Sequence, residues 1–159
     1  MKVAVIMGSK SDFAIAEKAI ATLKKFGIEA IPRVISAHRA LEMLQEFVRQ
    51  FEALEVKTVI AIAGKAAHLP GVIAGMTTLP VIGVPVKGSA FLGLDALLSI
   101  VQMPSGVPVA TVAVDGGENA AILACQILAI GSEDLQAKLA DYKKELEASV
   151  RAQDESLEP

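Results

Sequence analysis

The sequence predicts an α/β fold built on a parallel sheet, and three observations predict it. Short apolar runs alternate with stretches patterned at helical spacing along the whole chain. The runs are near-continuous in Val, Ile and Ala, as expected of strands buried on both faces. No internal repeat or linker interrupts the order. Such alternation calls for right-handed crossovers. The lengths suit a three-layer αβα sandwich of five strands in the flavodoxin-like order 2-1-3-4-5, with an extra C-terminal helix.

Each element has its own signal. Residues 2–7 are a continuous apolar run and form the first strand. The turn Gly8-Ser9-Lys10-Ser11-Asp12 follows, then Phe13, Ala16, Ile20 and Leu23 recur at helical spacing until Gly27 stops the helix. Residues 29–35 read as the second strand and 41–54 as a helix with Leu41, Leu44, Val48, Phe51 and Leu54 on one face. The third strand is 56–63, and Pro70 suits a helix start ahead of a short helix over 72–76. Residues 81–86 form the fourth strand, Lys87-Gly88-Ser89-Ala90 a loop, 92–102 a helix and 103–106 a turn. The fifth strand is predicted over 107–114 and a strongly apolar helix over 119–130. Residues 132–153 are charged, with Leu135, Leu139, Tyr142, Leu146 and Val150 along one stripe. The expected organisation is a catalytic domain over 1–131 and a helical arm over 132–159. The arm either lies on its own domain or forms an oligomer interface.

Composition excludes several functions. Hydrophobic residues make up 53% and charged residues 21%, which supports a core and argues against disorder. No Trp and a single Tyr argue against a stacking platform for bases or flavins. A net charge of -3 without a basic block argues against nucleic-acid binding. Cys125 is the only cysteine, so no intrachain disulfide is possible, and its apolar surroundings suit a small buried hydrophobe. No apolar run approaches the ~20 residues that span a bilayer. Met1-Lys2-Val3 enters a strand without a signal-peptide layout, which predicts a soluble cytoplasmic protein with no membrane partner. No Cys, His or Asp cluster has metal-ligand spacing and no acidic pair would hold magnesium, so neither metal nor cofactor is expected.

In open α/β sheets, ligands bind outside the carboxyl ends of the strands. Both histidines of the chain, His38 and His68, follow apolar strands. The first loop offers Gly8, Ser9, Ser11 and Asp12, the second Ser36, His38 and Arg39, the third Lys65 and His68. Strands 2, 1 and 3 are neighbours in the proposed order, so these loops should converge. Arg39 near a helix start suits a phosphate, as do the serine hydroxyls. Gly8 permits close backbone approach. Asp12 either accepts from ribose hydroxyls or caps the following helix. His38 is the natural acid/base, since imidazole titrates near neutral pH. The set describes a nucleotide-like ligand with proton transfer at its base end. A phosphorylated receiver would need a carboxylate after strand three, where this chain has Ala63-Gly64.

Five motifs in order, Gly8-Ser9-Lys10-Ser11-Asp12, Ser36-Ala37-His38-Arg39, Ala66-Ala67-His68-Leu69-Pro70-Gly71, 79–86 (LPVIGVPV) and 99–104 (SIVQMP), closely resemble the PurE family of purine biosynthesis. The resemblance runs from about residue 3 to 130. It implies a flavodoxin-like octamer. It also implies the conversion of N5-carboxyaminoimidazole ribonucleotide to 4-carboxy-5-aminoimidazole ribonucleotide, without ATP or metal. The alternatives are the related direct carboxylation of aminoimidazole ribonucleotide with carbon dioxide and a non-catalytic nucleotide-binding domain on the same fold. By the same resemblance, Ser9 and Asp12 lie at the ribose and phosphate end, and Ser36 and Arg39 hold the phosphate. His38 is the general acid/base. The loop from Gly64 through Lys65, Ala66, His68 and Leu69 to Gly71 encloses the imidazole and the migrating carboxylate. This chain departs from the family pattern at Lys65, where a second Gly is usual, and at Ala40-Leu41, where Thr-Pro is usual. The presence of Lys65 implies a backbone conformation open to any residue. Because the 119–130 helix is apolar on nearly all sides, a homo-oligomer is expected.

Overall fold

The computed structural model describes residues 1–88 and 90–157; Ser89, in the predicted 87–90 loop, and the last two residues of the predicted arm lie outside the described residues. Strand β1 (Lys2–Met7) runs through the core, with Val3, Val5 and Ile6 fully buried. It lies between β2 (Glu29–Val34) and β3 (Val56–Gly64), with Met7 opposite Val34 on one side and Ile62 on the other. Strand β4 (Val81–Val86) follows β3, and β5 (Ala110–Thr111) closes the far edge. The order is β2-β1-β3-β4-β5, parallel throughout, as predicted. The chain winds one way from β1 and the other way from β3, so the topological switch lies between their carboxyl ends.

Strand periodicity assigns the two faces. Val3, Val5 and Met7 point to one cluster, shared with α1 (Phe13–Lys25), α5 (Gly117–Ala129) and α6 (Glu133–Glu155). Ala4 and Ile6 point to the other, shared with α2 (Leu41–Arg49), α3 (Leu69–Ala74) and α4 (Leu94–Val101). The one fully buried polar side chain among the described residues, Thr58, donates to the Pro80 carbonyl at 2.9 Å, so its burial leaves no donor unmatched.

Several boundaries differ from the sequence reading for identifiable reasons. Helix α2 ends at Arg49 instead of residue 54, because the chain must reverse into β3. Glu55 makes that reversal at φ +59° while Val56 N–H donates to Phe51 O. Helix α3 begins at Leu69, three residues early, since Pro70 occupies its first turn. Helix α4 starts at Leu94, after Gly93 at φ +92°. The fifth strand shrinks from 107–114 to Ala110–Thr111. Val107 N–H is spent in a turn to Pro104 O, and Pro108 has no N–H to give. Beyond the short ladder, Val112 N–H reaches Gly83 O at 3.2 Å and Asp115 N–H reaches Pro85 O at 2.8 Å.

The apolar girth of α5 is met largely inside the chain. The sheet lies under it, α1 packs beside it and α6 covers it, with Ile122, Leu123 and Ile127 packed against the common cluster. Its start is tight: a Cβ on Gly117 would collide with the backbone oxygen of Ile15 in α1. Helix α6 is capped by Ser132, whose Oγ accepts from Leu135 N–H. It is fastened by buried Leu135, by an edge-to-face contact of Tyr142 on Phe26 at 5.5 Å, and by a 2.9 Å ion pair between Lys25 and Glu145. Beyond Glu145 its apolar side chains, Leu146 and Val150, are exposed. Among the described residues no helix is long and apolar enough to cross a membrane.

Candidate active site

Four strand ends converge on one cavity of ≈ 690 Å³, within the range usual for small-molecule sites. At the end of β1, Gly8 N–H donates to Ile62 O at 3.0 Å, which holds this loop to the end of β3. Ser9 then starts a single 3-10 turn over Lys10–Asp12, its Oγ accepting from Ser11 N–H at 3.3 Å. Asp12 stands at the head of α1 but makes no side-chain capping bond. Of the two roles open to it, capping therefore fails. Its carboxylate lines the cavity and accepts from Ser11 Oγ at 3.0 Å. Burial raises the Asp12 carboxyl above the ordinary carboxylate value, opposed by hydrogen bonds from Ser11 and Ser9 and helped by the charge of Asp115.

At the end of β2 the chain folds into a tight turn, Arg39 and Ala40 N–H both donating to Ser36 O. This turn projects two side chains in different directions. Arg39 reaches back towards the first loop, its Nε donating to Ser36 Oγ at 3.3 Å and its Nη2 to Gly8 O at 3.4 Å. His38 reaches towards the third loop. Its Nε2 lies 2.8 Å from His68 Nδ1, with the rings edge to face at 4.9 Å and 85°. In that bond one ring nitrogen carries the hydrogen and the other accepts it, so the tautomers of the two rings are coupled.

Gly8, Ser9, Ser11, Asp12, Ser36, His38, Arg39, Gly64, Lys65, Ala66 and Leu69 all line the cavity, so the sequence-predicted residues are brought together. His68 is the exception. It does not line the cavity but stands as the first residue ahead of α3, against the His38 ring. The expectation for Lys65 is also corrected. It adopts φ +55°, the left-handed region in which a side chain costs about 1 kcal/mol or more. Gly64 beside it packs on Val86, whose Cβ would lie 3.2 Å from an added Cβ.

Sequence reasoning missed the fourth wall. Val86, Lys87 and Gly88 at the end of β4 line the cavity, as do Ala37 and Ala63. Lys87 N–H is held by Asp115 Oδ1 at 2.8 Å, and Asp115 is itself at φ +58°. The strand-end rule could have pointed to Lys87, the first residue after a buried strand. Nothing in the local sequence links Asp115 to it. Three cations, Arg39, Lys65 and Lys87, thus come from three successive strand ends around the cavity. Cys125 has no part in this chemistry: it is buried in α5, and burial pushes its thiol up to about 11.

Fold and site together define a class: a doubly wound α/β protein with a cation-lined pocket at its switch point and an imidazole at the pocket wall. Comparison with known proteins narrows it. The AIR carboxylase family model matches residues 2–149, and the chain belongs to that family. It is 54% identical to an N5-carboxyaminoimidazole ribonucleotide mutase of Methanocaldococcus jannaschii, over 98% of this chain and 96% of the relative. It is 50% identical to the protein of the same name from Saccharolobus solfataricus, over 94% of each chain. Among solved structures, Treponema denticola PurE superposes with a TM-score of 0.91 at 33% identity, covering 99% of both chains. The flavodoxin-like architecture expected from the sequence is therefore that of the family.

Proposed function

We propose that this protein is an isomerase of purine biosynthesis that converts N5-carboxyaminoimidazole ribonucleotide to 4-carboxy-5-aminoimidazole ribonucleotide. The observation that carries this reading is near-full-length identity of about half to relatives bearing the mutase name. The geometry supports it with an imidazole, a guanidinium and a carboxylate around one cavity.

The reaction needs little equipment. The carbamate N–C bond breaks and its electron pair returns to the exocyclic nitrogen. The released carbon dioxide, held beside the ring within the cavity, is attacked by the ring carbon. The nitrogen gains one proton and the ring carbon loses one, so a single imidazole can move it between them. His38 is assigned that role because its ring lines the cavity. His68 supports it from behind through the 2.8 Å bond. Arg39 and Ser36 are assigned to the phosphate, and Asp12 with Ser9 to the ribose end.

This reading includes a homo-oligomer, the octamer of the family, working in the cytoplasm. Its support here is the exposed apolar surface of α4, where Leu94, Leu98 and Val101 are about half exposed. Light scattering on the purified protein tests it: a monomer at micromolar concentration would refute it. For the activity, the protein is incubated with the N5-carboxylated ribonucleotide while the carbon-carboxylated product is followed. In parallel it receives aminoimidazole ribonucleotide with bicarbonate and carbon dioxide. Faster turnover of the carboxylated compound is expected; a clear preference for the second mixture would move the protein to direct carboxylation.

A further inference from the structure

Lys65 combines three properties. It lines the cavity, it carries a charge that no carboxylate neutralises in an ion pair among the described residues, and it holds its backbone at φ +55°. Glycine adopts that conformation without cost, and a lysine does not. Strain of this kind persists where the surroundings impose it, and it gathers at ligand sites. Of the four non-glycine residues at positive φ among the described residues, two, Lys65 and Asp115, border this one pocket: Lys65 in its wall, and Asp115 through its bond to Lys87.

Strand order separates Lys65 from Arg39, the cavity cation held by side-chain hydrogen bonds. Arg39 follows β2 and is turned towards Gly8 after β1, whereas Lys65 follows β3. Strand β1 lies between the two strands that carry them. The Arg39 head group leans over the end of β1 and Lys65 stands at the end of β3, so the two cations hold separate positions around the cavity and can take two negative groups of one ligand. His38 bridges the interval, its ring turned from the β2 turn to His68 after β3, so the ring chemistry falls on the Lys65 side. We infer that Lys65 is a specificity-determining residue that binds the carboxylate of the ribonucleotide, while Arg39 takes the phosphate. The inference rests on the function proposed above. It adds that the pocket selects carboxylated over uncarboxylated ribonucleotide through one strained lysine.

The test uses Lys65→Gly, Lys65→Met and Lys65→Arg in the full-length protein. Binding of 4-carboxy-5-aminoimidazole ribonucleotide and of aminoimidazole ribonucleotide, which lacks the carboxylate, is measured by calorimetry. Loss of a charge-assisted hydrogen bond should weaken binding of the carboxylated ligand at least about tenfold in the Gly and Met variants. Affinity for the uncarboxylated ligand should stay within about twofold, and Arg should restore most of the difference. The Gly variant, freed of the left-handed side chain, should melt no lower than wild type. Equal losses for both ligands would place Lys65 on a shared group such as the phosphate and overturn the inference, as would no loss at all. Failure of wild type to turn over the N5-carboxylated compound would strike the proposed function instead. The two-ligand preference would still be read independently.

Discussion

The two helical layers of the sandwich are finished to different degrees. The α1–α5–α6 layer closes on itself: α6 covers α5, and an ion pair and an aromatic contact fasten it to α1. Its exposed apolar residues lie at extremities, Phe13 at the head of α1, Ile130 in the turn after α5, and Leu146 and Val150 on the overhang of α6. The α2–α3–α4 layer instead leaves Leu41, Met43, Leu94, Leu98 and Val101 exposed along helix faces. The loops that head these helices divide the same way. Ser9 and Asp12, before α1, belong to the closed layer; His38 and Arg39 before α2, and His68 before α3, belong to the open one. An all-apolar helix such as α5 therefore does not by itself point to a second chain, because a later helix of the same chain can cover it. The open surface lies on the layer that carries the histidines.

The largest effect should come from the open layer. His38→Asn is expected to lower turnover by about a hundred- to ten-thousand-fold while leaving the melting temperature unchanged. Retention of a tenth of wild-type activity would sink the acid/base assignment. In the closed layer the counterpart is Gly117→Ala. The new methyl would meet the Ile15 backbone, which cannot rotate away, so the variant should lose roughly 1–3 kcal/mol of stability with ligand affinity little changed. Denaturant titration reads this, and an unshifted midpoint would mean that α1 and α5 separate freely.

Charge on the open face sharpens the contrast further. Leu98→Glu should lower the mass seen by light scattering, whereas Ile130→Glu, which alters the most exposed apolar residue of the α5–α6 turn, should not. A fall in both would erase the distinction between layers. A smaller effect is expected at Asp12. Burial raises its carboxyl, so the folded state binds that proton more tightly than the unfolded state does. Stability from this group therefore declines as pH rises from the ordinary carboxylate value, about 4, through the raised one, and Asp12→Asn should flatten that slope. Ribose hydroxyls donating to Asp12 would favour the charged form, so ligand affinity should rise over the same interval. A slope unchanged in the variant would remove Asp12 from the account. The smallest effect belongs to Lys25→Met, which breaks an exposed pair with Glu145 and should leave the melting temperature within error.

Much of this was legible in the chain. Strands β1 and β4 coincide with their apolar runs, and the parallel sheet follows from strand–helix alternation. The first three loops of the site were readable because serine, histidine, arginine and aspartate at strand ends announce polar chemistry. Three things were not readable. The fifth strand was over-long because β propensity carries no record of whether a partner strand is in register, and Pro108 limits pairing there. The left-handed backbone of Lys65 has no local signature, since lysine does not favour it. The meeting of His38 with His68 depends on a turn that aims one ring across two strand ends, which spacing alone does not encode.

The tether on Arg39 has a further consequence, for the entropy of ligand capture. A free arginine side chain gives up roughly 2 kcal/mol of rotamer freedom when a ligand immobilises it. Here the guanidinium is already drawn to Ser36 Oγ and Gly8 O, through bonds of 3.3 and 3.4 Å. These contacts are long enough to exchange for shorter ones and sufficient to narrow the arm's range. Much of that disorder is therefore surrendered when the chain folds, before any anion arrives. Phosphate capture should accordingly proceed as a swap of weak partners for strong ones, with heat released and little ordering left to do.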